Sequence, residues 1–99
     1  MKAHIDLPRE ELNDFCHRYQ VKRLALFGSV LRKDFRPDSD VDVLVLFKPE
    51  ARIGLLTLSR MQRELSALLN RRVDLVLMDG IKPVIRKSVL AGAEEVYAA

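Results

Sequence analysis

Cysteine and aromatic residues are scarce in this sequence. Among 99 residues there is one cysteine, Cys16, and no tryptophan, and aromatic residues make up 6%. A single cysteine excludes an internal disulfide framework, and we predict that Cys16 is a small buried apolar residue. The shortage of aromatic side chains disfavours a surface on which unpaired nucleic-acid bases stack, and with it direct binding of nucleic acid.

Long apolar runs and a strong charge of one sign are also absent. No apolar run approaches the roughly 20 residues that cross a membrane, and MKAHIDLPREEL lacks the apolar segment of a signal peptide. We therefore expect a cytoplasmic protein that does not engage membranes. The net charge of +3 is only mildly basic, and it suits a phosphate-bearing small ligand or an acidic partner as well as nucleic acid.

The remaining composition is that of a small folded domain. Hydrophobic residues make up 48% of the chain and charged residues 31%, which is typical of globular proteins. The length suffices for one domain, so we predict a single domain over residues 1–99. Its core should be thin, and association with a partner or with a second copy would add stability.

The spacing of apolar residues predicts alternating helices and strands. Helical periodicity predicts helices over 7–20, 54–70 and 81–92. Apolar, β-branched runs predict strands over 21–27, 40–47 and 71–78, and a short strand at 94–99. A turn into a short helix follows the first strand. This order predicts an α/β (α+β) domain in which helices flank a small sheet.

Two aspartates open the second predicted strand, and a third lies in the next. Asp40 and Asp42 are two residues apart and so project from the same face of a strand, where they repel each other unless a cation intervenes. Mg²⁺ takes one or two carboxylates together with water and phosphate oxygens. Asp74 lies in an apolar run, where an unpaired buried charge would be costly. If the two strands are neighbours, the three acids converge, as in sites that hold two metal ions.

Each acid also has an ordinary explanation. An isolated Asp-x-Asp is most often a solvated turn, and Asp74 could form a surface ion pair with Arg71 or Arg72. A calcium loop that starts at Asp38 is excluded, because its sixth and twelfth positions hold valine and proline instead of glycine and glutamate. An aspartyl phosphatase carries its Asp-x-Asp after an apolar strand, whereas here the long apolar run follows the pair.

A Gly-Ser pair ends the first predicted strand. Backbone N–H groups at the start of a helix favour phosphate, and Gly28 would let a bulky anion approach the backbone. Ser29 adds a hydroxyl donor, and Arg32 follows one helical turn later. Alone, the pair would be an ordinary turn with a serine cap. Together with the three acids, it favours a phosphate-binding turn.

The segment GSVLRKDFRPDSDVDVLV resembles the signature of the nucleotidyltransferase superfamily that includes DNA polymerase beta, and the short chain is similar to the minimal nucleotidyltransferases. The resemblance implies the palm-like fold of that superfamily, a mixed sheet flanked by helices. It implies two groups of site residues: nucleotide-binding Gly28, Ser29, Arg32 and Ser39, and catalytic, metal-binding Asp40, Asp42 and Asp74.

The resemblance also implies an activity. Such enzymes use two Mg²⁺ ions to transfer a nucleoside monophosphate, here AMP from ATP, to a hydroxyl with release of pyrophosphate. Asp74 would help to deprotonate the acceptor. Minimal members are commonly encoded beside a HEPN-domain toxin, and such an antitoxin can attach AMP to a toxin tyrosine. We predict the same role here.

The signature departs from the common pattern at two positions. The family often has Ala-Arg-Gly where this chain has Leu31-Arg32-Lys33. These departures motivate an alternative, a catalytically inactive antitoxin that neutralises its partner by direct binding. Transfer to a small molecule or to RNA is a third reading, although the chain has no separate domain for such an acceptor. The presence of all three acids favours an active enzyme.

Overall fold

A computed structural model describes residues 7–28 and 40–99. In these ranges the helices are α1 (Arg9–Arg18), α2 (Leu55–Leu69) and α3 (Pro83–Gly92). The strands are β1 (Val21–Phe27), β2 (Val41–Phe47), β3 (Val73–Leu77) and β4 (Glu94–Ala98), and a 3₁₀ turn covers Met78–Gly80. The long helices and the strands predicted from apolar spacing are confirmed, with ends that differ by two residues at most. The short helix predicted after Gly28 lies outside the described residues.

The strands form one mixed sheet in the order β3-β2-β1-β4. β2 and β3 are parallel, whereas β1 pairs antiparallel with both β2 and β4. A parallel pair needs a crossover connection, which α2 supplies between β2 and β3. The predicted fold class, a small mixed sheet flanked by helices, is confirmed. No helix in the described part of the chain has the length and apolar character needed to cross a membrane.

The main core lies on the sheet face that α1 and α2 cover. Phe15 and Cys16 from α1 pack with Met61 and Leu65 from α2 against the inward side chains of the strands, and these four residues are fully buried. Burial raises the pKa of the Cys16 thiol to about 12, which keeps the sulfur neutral and unreactive. Cys16 is therefore the buried apolar residue that the sequence predicts.

The opposite face of the sheet has a much smaller core, which α3 covers. Only Ala25, Leu44 and Met78 are buried in this cluster, and partly buried residues such as Val89 and Leu90 of α3 pack against them. No residue of α3 itself is fully buried. This face therefore contributes less apolar burial to stability than the α1–α2 face.

A left-handed residue connects α2 to β3. Asn70 follows the helix with φ 52°, and its N–H bonds back to the last turn. Asparagine tolerates this conformation better than most residues, and it ends helices in this way. This tight turn ends the helix and allows β3 to begin three residues later.

Side chains of α2 cover the outer edge of β3. The Val73 N–H donates to Ser66 Oγ and the Leu75 N–H to Gln62 Oε1, each at 3.1 Å. Ser66 and Gln62 are four residues apart, so they lie on one side of the helix. An uncovered edge would invite pairing with another strand. These two bonds therefore protect the edge and hold β3 against its crossover helix.

Replacing Gln62 with alanine should expose the Leu75 amide. We expect hydrogen exchange at Leu75 to become at least about twofold faster, and stability to fall by about 0.5 kcal/mol, because the lost hydrogen bond is exposed. Exchange monitored by NMR and urea unfolding would measure both effects. Arg63→Ala, at the adjacent exposed position of α2, is the matched control. Unchanged protection of Leu75 in a folded Gln62→Ala variant would contradict the assignment.

Candidate active site

The parallel pairing of β2 with β3 brings acidic residues together at one end of the sheet. Both strands start at this end, and their register places Asp42 opposite Asp74. On its other side, β2 pairs with β1, where Asp42 lies opposite Phe27. Gly28 follows Phe27 directly. The end of β1 and the beginnings of β2 and β3 therefore form one site.

The acids lie on the face of the sheet that α3 covers. Val41 and Val43 belong to the α1–α2 core, whereas Leu44 belongs to the α3 cluster. Since side chains alternate along a strand, Asp42 shares the face of Leu44. By the same alternation Asp74, which follows the core residue Val73, lies on that face too.

Asp42 is the acid whose surroundings most disfavour its negative charge. Its side chain is half-buried, whereas Asp40 and Asp74 are exposed. Burial raises the pKa of the Asp42 carboxyl above its usual value, and repulsion from Asp74 and then from Asp40 raises it further. Both causes disfavour the ionised form. A cation at this position would offset them, so the carboxylates fit a metal-binding role.

Gly28 makes room for the Asp42 carboxylate. Gly28 has φ +79°, and a Cβ added there would lie 2.3 Å from Asp42 Oδ2. The left-handed backbone therefore favours glycine, and a larger residue would push the Asp42 carboxylate aside. The sequence pattern predicts that this glycine admits a phosphate. Its contact with Asp42 is an additional reason for glycine that no local sequence pattern indicates.

Asp40 is paired with Arg72. Arg72 Nε lies 3.6 Å from Asp40 Oδ1, and the two side chains are 84% and 52% exposed. The sequence offers Arg71 or Arg72 as partners of Asp74, but the ion pair that the structure shows joins Arg72 to Asp40. No motif predicts this pair, because it depends on which strands are neighbours.

One expectation about the acids needs correction. The prediction that the Asp74 charge is buried is wrong, because β3 is an edge strand and Asp74 is exposed. The acid whose charge is partly buried is Asp42. Within residues 7–28 and 40–99, no group of three or more acidic, histidine or cysteine side chains is already arranged to hold a metal. The three acids share one end of the sheet, but Asp40 is engaged by Arg72.

The other predicted nucleotide-binding residues cannot be placed. Ser29, Arg32 and Ser39 lie outside the described residues, as do Leu31 and Lys33, which depart from the common signature. Their assigned roles stay predictions. Of the nucleotide-binding group, the structure places Gly28 alone, and it places Gly28 against Asp42.

A cavity elsewhere on the sheet is separate from the acids. It has a volume of about 180 Å³ and is lined by Val45, Phe47, Leu58 and other mainly apolar residues. These residues lie at the opposite end of β2 from Asp42, on the side of the sheet that α2 covers. The acids therefore belong to an open edge of the sheet and not to this cavity.

Comparison with known proteins identifies relatives of the whole chain. The family model described as a nucleotidyltransferase domain matches residues 9–95. The protein adenylyltransferase MntA of Thermococcus cleftensis is 42% identical over 73 residues, which are 74% of this chain and 72% of that protein.

Solved structures show the same fold. A minimal nucleotidyltransferase is 38% identical, with a TM-score of 0.73, and the match covers 93% of this chain and 97% of that one. A toxin–antitoxin structure with AMP-PNP has a TM-score of 0.73 at 19% identity, covering 94% and 75%. A complex of a tri-AMPylated Shewanella oneidensis HEPN toxin with an MNT antitoxin has a TM-score of 0.65 at 17% identity, covering 92% and 70%.

Replacing Gly28 with alanine should disturb the acids directly. The added methyl group must displace the Asp42 carboxylate, and the left-handed backbone adds strain of about 1 kcal/mol. We expect the melting temperature to fall by about 4–8 °C and nucleotidyl transfer to fall about 100-fold. Gly92→Ala, where nothing lies within 4 Å of the added atom, is the control. Wild-type transfer by Gly28→Ala would contradict this role.

Replacing Asp42 with asparagine should stabilise the metal-free protein at pH 7. Because folding raises the pKa of Asp42, the native state loses stability as the pH rises from about 4 through the folded-state pKa, and the full penalty of the ionised carboxylate remains above that pKa. Allowing for solvent screening, we expect a gain of about 0.5 kcal/mol, or about 2–4 °C in melting temperature.

This gain should disappear as the pH falls below about 4, where Asp42 is protonated in both states. Thermal unfolding in chelator across pH 3.5–7 would measure it, with Asp79→Asn, an exposed aspartate outside the site, as control. A gain that is independent of pH, or a loss at pH 7, would show that the Asp42 charge is not the cause.

Proposed function

Because the chain belongs to the nucleotidyltransferase-domain family, we propose that it transfers AMP from ATP to a hydroxyl group of a protein and releases pyrophosphate. The observation that carries this proposal is the register that sets Asp42 opposite Asp74, with Gly28 in contact with Asp42. The relative from Thermococcus cleftensis is named a protein adenylyltransferase, which supports a protein as acceptor.

Magnesium fits the site by charge and by ligand type. Asp40, Asp42 and Asp74 supply hard oxygen ligands, and the burial and repulsion that raise the Asp42 pKa would be offset by a divalent cation. These three residues would hold two Mg²⁺ ions, which in such sites neutralise charge on the attacking and leaving oxygens. Asp42 adjoins both other acids, because it follows Asp40 by two residues and lies opposite Asp74 in the strand register.

The exposed position of Asp74 suits the acceptor side of the reaction. An incoming hydroxyl can reach this edge-strand carboxylate, which would accept the hydroxyl proton. The hydroxyl oxygen then bonds to the α-phosphorus of ATP, and the bond from that phosphorus to the bridging oxygen of pyrophosphate breaks. Gly28, at the end of β1, would bind the triphosphate together with Ser29, Arg32 and Ser39.

The proposed acceptor is a tyrosine of a HEPN-domain toxin, and the proposed biological role is that of an antitoxin in the cytoplasm. A fold relative, the MNT antitoxin from Shewanella oneidensis, forms a complex with a HEPN toxin that carries three AMP groups. Another fold relative was solved as a toxin–antitoxin with AMP-PNP. Both support a partner of this class and ATP as the nucleotide for the present chain.

Transfer of labelled AMP tests the proposal. The chain, Mg²⁺ and labelled ATP are incubated with the HEPN protein encoded beside it, and the modified residue is mapped by mass spectrometry. We expect label on a tyrosine, reduced at least about 100-fold by Asp42→Asn and by Asp74→Asn, because both remove charge that holds the metal ions. Asp79→Asn should transfer AMP at the wild-type rate.

Two outcomes would contradict the proposal. Absence of label on the partner with the wild-type chain would exclude protein adenylylation of that partner. A folded variant with both Asp40→Asn and Asp42→Asn that still neutralised the toxin in cells would show that neutralisation needs binding and not transfer. That second result would support the inactive antitoxin that the departures at Leu31 and Lys33 motivate.

A further inference from the structure

The ion pair between Arg72 and Asp40 lies within the candidate site and has no part in the reaction described above. We propose that Arg72 is a positioning residue that holds Asp40 while the site lacks metal, and that a divalent cation must displace its guanidinium to bind. The inference rests on the proposed function only in requiring that a cation binds at these carboxylates.

The backbone pairing of β2 with β3 brings Arg72 beside Asp40. The Val41 N–H donates to the Arg72 carbonyl oxygen at 2.8 Å, and the next residues, Val41 and Val73, are paired in the ladder. The backbone of Arg72 is therefore held beside the first residue of β2. The ion pair follows from the same parallel pairing that sets Asp42 opposite Asp74.

Arg72 lies at the end of the sheet that carries the acids. It directly precedes β3 and lies two residues before Asp74, just as Asp40 directly precedes β2 and lies two residues before Asp42. These four residues comprise one cation and three carboxylates. Arg72 supplies the positive charge that lowers the repulsion among them in the metal-free protein.

The geometry of the pair suits an interaction that is made and broken. The Nε–Oδ1 distance of 3.6 Å is longer than a hydrogen bond, and both side chains are more than half exposed. Such pairs are weak, so a doubly charged ion with direct oxygen ligands can replace the guanidinium.

Binding of Mn²⁺ without nucleotide tests the competition. In the ¹⁵N-labelled chain of residues 1–99, Mn²⁺ bound at the site broadens the amide resonances of Asp42 and Asp74. We expect Arg72→Gln to lower the Mn²⁺ concentration for half-broadening about threefold, because the competing charge is removed. Arg63→Gln removes the same charge from the exposed side of α2, on the other face of the sheet, and should leave that concentration unchanged.

The Nε–H resonance of Arg72 provides a second measurement, and it would not respond to the metal if Arg72 only stabilised the fold. We expect its Nε–H resonance to shift in Asp40→Asn, and diamagnetic Mg²⁺ to shift it in the same direction in the wild-type chain. Unchanged or weaker Mn²⁺ binding by Arg72→Gln would overturn the proposal. An equal gain in Arg63→Gln, or an Nε–H resonance that does not respond to Asp40→Asn, would overturn it as well.

The test separates this proposal from the proposed function, because neither ATP nor an acceptor protein is present. A chain that shows the predicted competition but transfers no AMP would overturn adenylylation alone. If the wild-type chain adenylylates its partner, but Arg72→Gln binds Mn²⁺ no more tightly than the wild type, only the proposed competition is overturned.

Discussion

The parallel pairing of β2 with β3 is the constraint on which the site depends. A parallel neighbour requires a crossover, and α2 provides it while contributing Met61 and Leu65 to the main core. The same helix covers the outer edge of β3 through Gln62 and Ser66. Two strands that start at one end of the sheet can then place their first side chains together. The acids are close because of backbone pairing, and apolar packing on the opposite face maintains that pairing.

The unfavourable electrostatic energy of this arrangement arises mainly at the Asp42 carboxylate. Asp42 lies between Asp74 on one strand and Phe27 on the other, and Gly28 lets it lie against the backbone. Burial and like charge both disfavour its ionised form, which is the form that the proposed metal-binding role requires. Functional sites often retain such locally unfavourable charge, and here the buried core on the other face offsets it.

The limits of sequence-based prediction are physical and can be traced to particular residues. Apolar periodicity identifies helices and strands, since it reports which side of each element is buried. It does not distinguish an edge strand from a central one, so the run around Asp74 indicated a buried strand although β3 is at the edge. The Arg72–Asp40 pair and the contact between Gly28 and Asp42 both join residues on neighbouring strands. Such contacts depend on strand order and register, which local patterns do not specify.

The two faces of the sheet differ in how deeply helices pack on them, and α3 packs less deeply than α1 and α2. The face against α1 and α2 holds most of the buried side chains, whereas α3 has no fully buried residue over the face that carries the acids. Local opening free energies follow the amount of buried apolar contact. The cover of the acid-bearing face can therefore open while the sheet and its register persist. Sequence change in α3 should therefore perturb the acid-bearing face more than the α1–α2 core.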